Sequence, residues 1–231
     1  METETISKNE ASLKSHTSRG NFLRCILALL TVSILFVGCK KDDEGGDGSG
    51  SAGLETLTIS GKIGYLWNGE EINPDKITKV VVYRNWNDAK SGRNAITETT
   101  VTNRQFSLTL TTPPTDGLVT VKSIFTEDYL SISNPSAKIF TPEFYAVWTN
   151  GIIPIYKMTE AENAKVQDYE DYYYVDSDVS VTGTQIYDDG YKEVYNLNFK
   201  KGWNVIGEED TDTSITYKNV KMRNDLVWMN P

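Results

Sequence analysis

The chain has 231 residues, 23 Lys or Arg against 32 Asp or Glu, and a net charge of −9. So acidic a balance offers no cationic surface for the phosphates of a nucleic acid. The single histidine, His16, and both cysteines, Cys25 and Cys39, fall in the first 39 residues. The remainder can therefore build neither a Ser-His-Asp nor a Cys-His site, nor a zinc site of the usual ligands.

Residues 1–24 are polar and carry Lys8, Lys14, Arg19 and Arg24, and Cys25 to Gly38 is an almost unbroken apolar run ending in a small residue. This is the pattern of an export signal. The apolar run, roughly 14 residues, is too short for the ~20 that span a bilayer core, which argues against a transmembrane anchor.

Phe36-Val37-Gly38-Cys39 resembles the lipobox of bacterial lipoproteins, in which a small residue precedes the cysteine at the cleavage point. The resemblance implies that residues 1–38 are removed and that Cys39 takes up a diacylglyceryl thioether and an N-acyl chain such as palmitate. Each buried acyl CH₂ contributes about 0.8 kcal/mol, and two or more chains anchor stably. Lys40-Lys41-Asp42-Asp43-Glu44 is similar to the acidic surface-export signal of lipoproteins in the Bacteroidetes group. The implied address is the outer membrane with the domain at the cell surface, the periplasmic face being the alternative. With four basic and three acidic residues gone, 19 and 29 remain and the mature charge is −10, which keeps the domain soluble and repels anionic headgroups.

Residues 39–53 form the tether. Its Gly45–Gly53 portion lacks large apolar side chains and predicts a flexible spacer. The folded domain is expected over 54–231, which is long enough to bury a core without disulfides. From Leu57 the periodicity is two: Leu57, Ile59, Ile63 and Tyr65 alternate with polar neighbours, as do Phe106, Leu108 and Leu110, then Val119 and Val121. Ile77 to Tyr83 is apolar on both faces and predicts a central strand. Pro113-Pro114-Thr115-Asp116-Gly117 breaks the chain between strands. Thr159 with Glu162 three residues later has the spacing of a capping box and predicts one short helix over Glu160–Gln167. Asp188-Asp189-Gly190 predicts a hairpin between Val181–Tyr187 and Tyr191–Phe199. Lys200-Lys201-Gly202 predicts a turn before Trp203, and Ile215 with Tyr217 alternates again.

Short strands separated by turn signals predict an all-β fold, an antiparallel β-sandwich of immunoglobulin-like or transthyretin-like type with one short helix. The runs Ile59-Ser60-Gly61-Lys62-Ile63, Lys79-Val80-Val81-Val82-Tyr83 and Arg104 to Leu110 resemble the strand order of transthyretin-like or carboxypeptidase-regulatory-like sandwiches over residues 56–124. Those modules are binding or spacer elements, and the resemblance brings no catalytic residues. The part after Trp148 is either extra strands of one sandwich or a second small domain, with a subdivision near 140–150.

Several groups are candidates for chemistry. Asp168, Glu170, Asp171, Asp176 and Asp178 surround Tyr172-Tyr173-Tyr174 and read either as a solvated acidic loop or as oxygen ligands for calcium. No metal, calcium included, is required by their spacing. Glu208-Glu209-Asp210-Thr211-Asp212 is a second acidic run. Carboxylate-based glycoside hydrolysis needs two such groups facing one another across a cleft, and proximity in sequence does not supply that. Trp67-Asn68-Gly69 and Trp86-Asn87-Asp88 place Trp67 and Trp86 in polar, turn-like surroundings, where an indole can stack on the apolar face of a sugar. Trp203 and Trp228, beside apolar neighbours, read as packing. The expectation is a non-catalytic, membrane-tethered β-domain that binds a glycan or a protein partner. The alternatives are a structural subunit of an envelope assembly and, third, a carboxylate hydrolase.

Overall fold

The computed structural model describes residues 53–230 except Asn68 and 161–165. The leader, Cys39 and its lipobox, the export signal, the tether through Ala52 and Glu162 lie outside the described residues.

The strands are β1 (Leu57–Trp67), β2 (Glu71–Ile72), β3 (Lys79–Tyr83), β4 (Thr97–Thr100), β5 (Gln105–Leu110), β6 (Val119–Thr120), β7 (Ser131–Ile132), β8 (Lys138–Phe140) and β9 (Glu143–Trp148). They continue with β10 (Gly151–Pro154), β11 (Tyr156–Met158), β12 (Val166–Val175), β13 (Val179–Ile186), β14 (Lys192–Phe199), β15 (Gly202–Thr211), β16 (Ser214–Asn219) and β17 (Val227–Asn230). Two short α-helices, α1 (Trp86–Ser91) and α2 (Val121–Ile124), and two single 3-10 turns, Pro74–Lys76 and Thr115–Gly117, complete the described elements. The chain is thus mostly β, arranged as two sheets that form a β-sandwich.

The large sheet runs β2-β1-β17-β11-β12-β15-β16-β14-β13-β7, and the small one β10-β9-β3-β4. Strand β3 is interior to the small sheet, with Val80 and Val82 facing the main core and Val81 and Tyr83 packed on the other side with Ala89 of α1. Both faces of β3 are covered, which is why its sequence is apolar without alternation. The main core joins Leu57, Ile59 and Ile63 of β1 to Phe144, Ile153, Tyr172, Trp203 and Trp228. Residues on both sides of 140–150 therefore share one core, and the strands after Trp148 extend the same sandwich. Trp203 and Trp228 are each 1% exposed. Trp228 packs between Phe106, Phe144 and Tyr172, whose ring centres lie 5.5, 4.7 and 6.1 Å away. A second core, under α2, gathers Phe125, Ile139, Val181, Leu197 and Phe199.

Strand β1 changes partners midway. Leu57–Lys62 pairs antiparallel with β5, and from Ile63 the strand pairs with β17, with a register irregularity between Ile63 and Leu66. The β1·β17 and β14·β16 pairings are both parallel, which departs from the all-antiparallel expectation. The short-turn argument binds only sequence neighbours. After β14 the chain skips one strand position, lays β15, and β16 returns into the gap between them. The crossing is pinned by Asn204, whose Oδ1 accepts from the Lys200 amide at 2.9 Å and whose Nδ2 donates to the carbonyls of Lys200 at 2.7 Å and Gly202 at 2.9 Å. Gly202 itself sits at φ 105°, in the left-handed region that glycine tolerates.

The Asp188-Asp189-Gly190 hairpin forms as expected, joining β13 to β14 with Gly190 at φ 85°. The helix expected over Glu160–Gln167 does not form at its described ends. The Thr159 amide donates to the Asp168 carbonyl at 3.0 Å, its hydroxyl accepts from the Asp168 amide at 3.1 Å, and Val166 and Gln167 begin β12. The capping hydroxyl serves a strand pairing instead. Val119 and Val121 do not continue one strand either: Val121 opens α2 and is fully buried while Val119 is exposed.

Candidate functional site

Helix α1 is built from local signals. Asn85 Oδ1 accepts from the Asp88 amide at 3.1 Å, and Gly92 closes the helix at φ 66°, the ordinary N-cap and left-handed C-cap of a short helix. Trp86, read from sequence as lying in a turn, is therefore the first residue of α1. Its indole is 47% exposed and stacks on the Tyr145 ring with centres 5.9 Å apart and planes 28° from parallel. Tyr145 in turn packs edge-on against Tyr83 at 5.8 Å.

A cleft of about 420 Å³ opens beside this stack, within the range of small-molecule sites. Two segments that pass from one sheet to the other form its walls: Thr141-Pro142-Glu143, leaving β8 for β9, and Pro154-Ile155-Tyr156, leaving β10 for β11. Prolines suit both crossings because no ladder hydrogen bond is required of them there. Strand β12 contributes Glu170, Asp171 and Tyr172, and Trp228 closes the depth of the cleft. Tyr156 at the rim is 48% exposed. Trp67, at the end of β1, is 39% exposed and is not among the residues that line this cleft. The two tryptophans singled out from sequence thus do not share it.

The charges along the cleft divide into a closed set and an open set. Lys157 Nζ lies 2.6 Å from Glu170 Oε1, with the side chains 1% and 0% exposed. Glu170 also accepts from the Tyr172 hydroxyl at 2.5 Å and the Arg223 amide at 2.7 Å, so its oxygens are fully engaged. Glu143 accepts the Tyr145 hydroxyl and has no cationic partner among the described residues. Asp171 keeps contact with solvent and has no hydrogen bond or ion pair among the described residues. The surrounding protein nevertheless strips much of its hydration, and with Glu170 nearby its carboxyl is pushed up to about 6.

The five acids read as a loop are not one. Asp168, Glu170 and Asp171 lie on β12, where alternation sends Asp171 to the opposite face from the other two. Asp168 pairs with Arg223. Asp176 accepts from the Lys138 amide at 2.8 Å, and Asp178 accepts from the Lys201 amide at 2.9 Å and Lys200 Nζ at 3.1 Å. The Lys201 amide, then Lys200, holds the Asp178 carboxyl below its ordinary range. Among the described residues no three acids converge as metal ligands.

The second acidic run is likewise strand, since β15 extends to Thr211. Glu209 pairs with Lys218 at 2.8 Å. Glu208, partly buried, is pushed up to about 7 by burial and then by Asp171, Asp210 and Glu193. Tyrosine hydroxyls supply donors where cations are scarce. Glu193 accepts from Tyr129 at 3.0 Å, Tyr187 at 2.8 Å and Tyr195 at 2.8 Å, and Asp210 from Tyr191 at 2.8 Å.

Comparison with family models, with curated proteins and with solved structures finds no match to this chain.

Proposed function

We propose that the chain is an outer-membrane lipoprotein, anchored through Cys39 and facing the cell surface, whose β-sandwich binds a glycan in the cleft at the sheet crossings. The observation that carries the reading is Trp86: a half-exposed indole held in place by the Tyr145 ring beneath it, at the mouth of a cleft that also offers Tyr156, Glu143 and Asp171. Aromatic faces stack on the apolar side of sugar rings, and carboxylates accept their hydroxyl hydrogens. A rigid indole loses little freedom when a ligand docks, which favours binding.

The test is a glycan array probed with the detergent-solubilised lipoprotein and with its Trp86→Ala and Trp67→Ala variants. Binding that disappears in the first and persists in the second supports the reading, and an array blank for the wild type sinks it. A carboxylate hydrolase would instead cleave the bound oligosaccharide and stop on Asp171→Asn. The anchor is tested separately: Cys39→Ser should abolish labelling by radioactive palmitate and leave the signal uncut.

A further inference from the structure

The cleft's charges point to a narrower ligand class. Four charged side chains line it: Glu143, Lys157, Glu170 and Asp171. Lys157 and Glu170 neutralise one another at 2.6 Å and are almost fully buried, so they present no net charge to a ligand. Glu143 and Asp171 are both exposed, and neither is matched by a cation among the described residues. The nearest arginine of α1's surroundings, Arg84, is bound to Asp88 and Asp116 at 3.1 and 3.0 Å and does not line the cleft. A ligand entering the cleft therefore meets two carboxylates and the faces or edges of Trp86, Tyr145 and Tyr156.

From this geometry we infer that the cleft selects a saccharide bearing a protonated amine, such as a deacetylated amino-sugar unit, over neutral and acidic saccharides. The inference rests on the glycan-binding reading above. An ammonium group is attracted both to the carboxylates and to the face of an indole or phenol ring. A uronate or sulfated sugar meets repulsion from both. The room, about 420 Å³, suits a short stretch of saccharide rather than a folded partner. Glu170, Glu208 and the hydroxyls of Tyr156, Tyr172 and Tyr173 are the titratable groups around Asp171. None is a cation, so a bound amine supplies the counter-charge that the cleft lacks.

The experiment is calorimetric titration of the detergent-solubilised lipoprotein with a chitosan oligosaccharide, the fully N-acetylated chitin oligosaccharide of the same length, and an oligogalacturonate. The expected result at about pH 6.5 and low salt, where a good part of the chitosan amines is protonated while Asp171 is still largely ionised, is that chitosan binds about tenfold tighter than chitin, the magnitude of two partly screened charge contacts, and that galacturonate fails to bind. The preference should shrink at high salt and on both sides of this pH, below about 6 as Asp171 protonates and above neutrality as the sugar amine loses its proton. Asp171→Asn with Glu143→Gln should remove the preference by weakening chitosan binding far more than chitin binding, with an unchanged far-UV circular dichroism spectrum and thermal midpoint showing that the double variant is folded. Equal affinity for chitosan and chitin, or tighter binding of galacturonate, overturns the inference and leaves the glycan reading intact. No binding of any saccharide overturns both.

Discussion

Removing Glu170 should damage this protein more than removing its partner Lys157, and removing both should repair part of the damage. In Glu170→Leu, an ammonium that is 1% exposed is left without its anion. The Tyr172 hydroxyl and Arg223 amide, 2.5 and 2.7 Å from Glu170, lose their acceptor as well. Breaking a buried pair from one side costs about 3–5 kcal/mol. The orphaned donors add to that, so the upper end is expected. In Lys157→Met the Glu170 carboxylate keeps both of those donors, and the expected loss is near the lower end, about 3 kcal/mol. In the double variant no buried charge remains, and the cost falls to that of the two unpaired donors, about 2 kcal/mol at the low end of about 1–3 kcal/mol for each, the Arg223 amide being only part-buried. A domain of this size shifts its midpoint by about 2–4 °C per kcal/mol, so Glu170→Leu should melt roughly 10–20 °C below the wild type. Urea unfolding of the three variants, with the slope checked for constancy, closes the double-mutant cycle. If Glu170→Leu loses less than about 1 kcal/mol, or the double variant is no more stable than that single one, the unpaired ammonium is not the source of the penalty.

Three further outcomes follow from the same coordinates. Gly61→Ala would place a methyl 2.5 Å from Cδ1 and 2.6 Å from Nε1 of Trp228; the indole is walled in by three other rings, so differential scanning calorimetry should read a loss of about 1–3 kcal/mol. Asn85→Ala removes the α1 cap and should cost about 1 kcal/mol; because α1 carries Trp86, ligand affinity should fall more than global stability does. Glu208 has a folded pKa of about 7 against an ordinary 4.5, so its proton favours the folded state. Its contribution to stability is complete below pH 4.5 and is lost as the pH rises through 7. Thermal melts should therefore decline across that window, and Glu208→Gln should flatten the decline.

How much was legible in the sequence depended on whether the relevant forces were local. The alternation of Phe106, Leu108 and Leu110 and the two-sided apolar run of β3 announced their strands because burial acts residue by residue along the chain. The Asp-Gly hairpin was readable for the same reason, since its backbone angles are set by the residues within it. The capping-box spacing at Thr159 was misleading because the same hydroxyl can satisfy an amide across a strand pair, here that of Asp168. Helix α1 was written just as plainly in Asn85, Asp88 and Gly92, but two polar residues beside a tryptophan read equally well as a turn.

The cleft was not legible, and the reason is topological. Its walls come from segments thirteen residues apart that cross between sheets, its base from β12, and its depth from Trp228 near the end of the chain. None of these carries a local signal of shared purpose. The acids of β12 show the point most clearly: Asp168, Glu170 and Asp171 look like one cluster in sequence, yet a two-residue period sends Glu170 inward to Lys157 and leaves Asp171 without a partner among the described residues. Identical chemistry one residue apart is thus divided into a structural ion pair and a group available to a ligand. It is that division, set by strand register and not by composition, that gives the cleft its unbalanced negative charge.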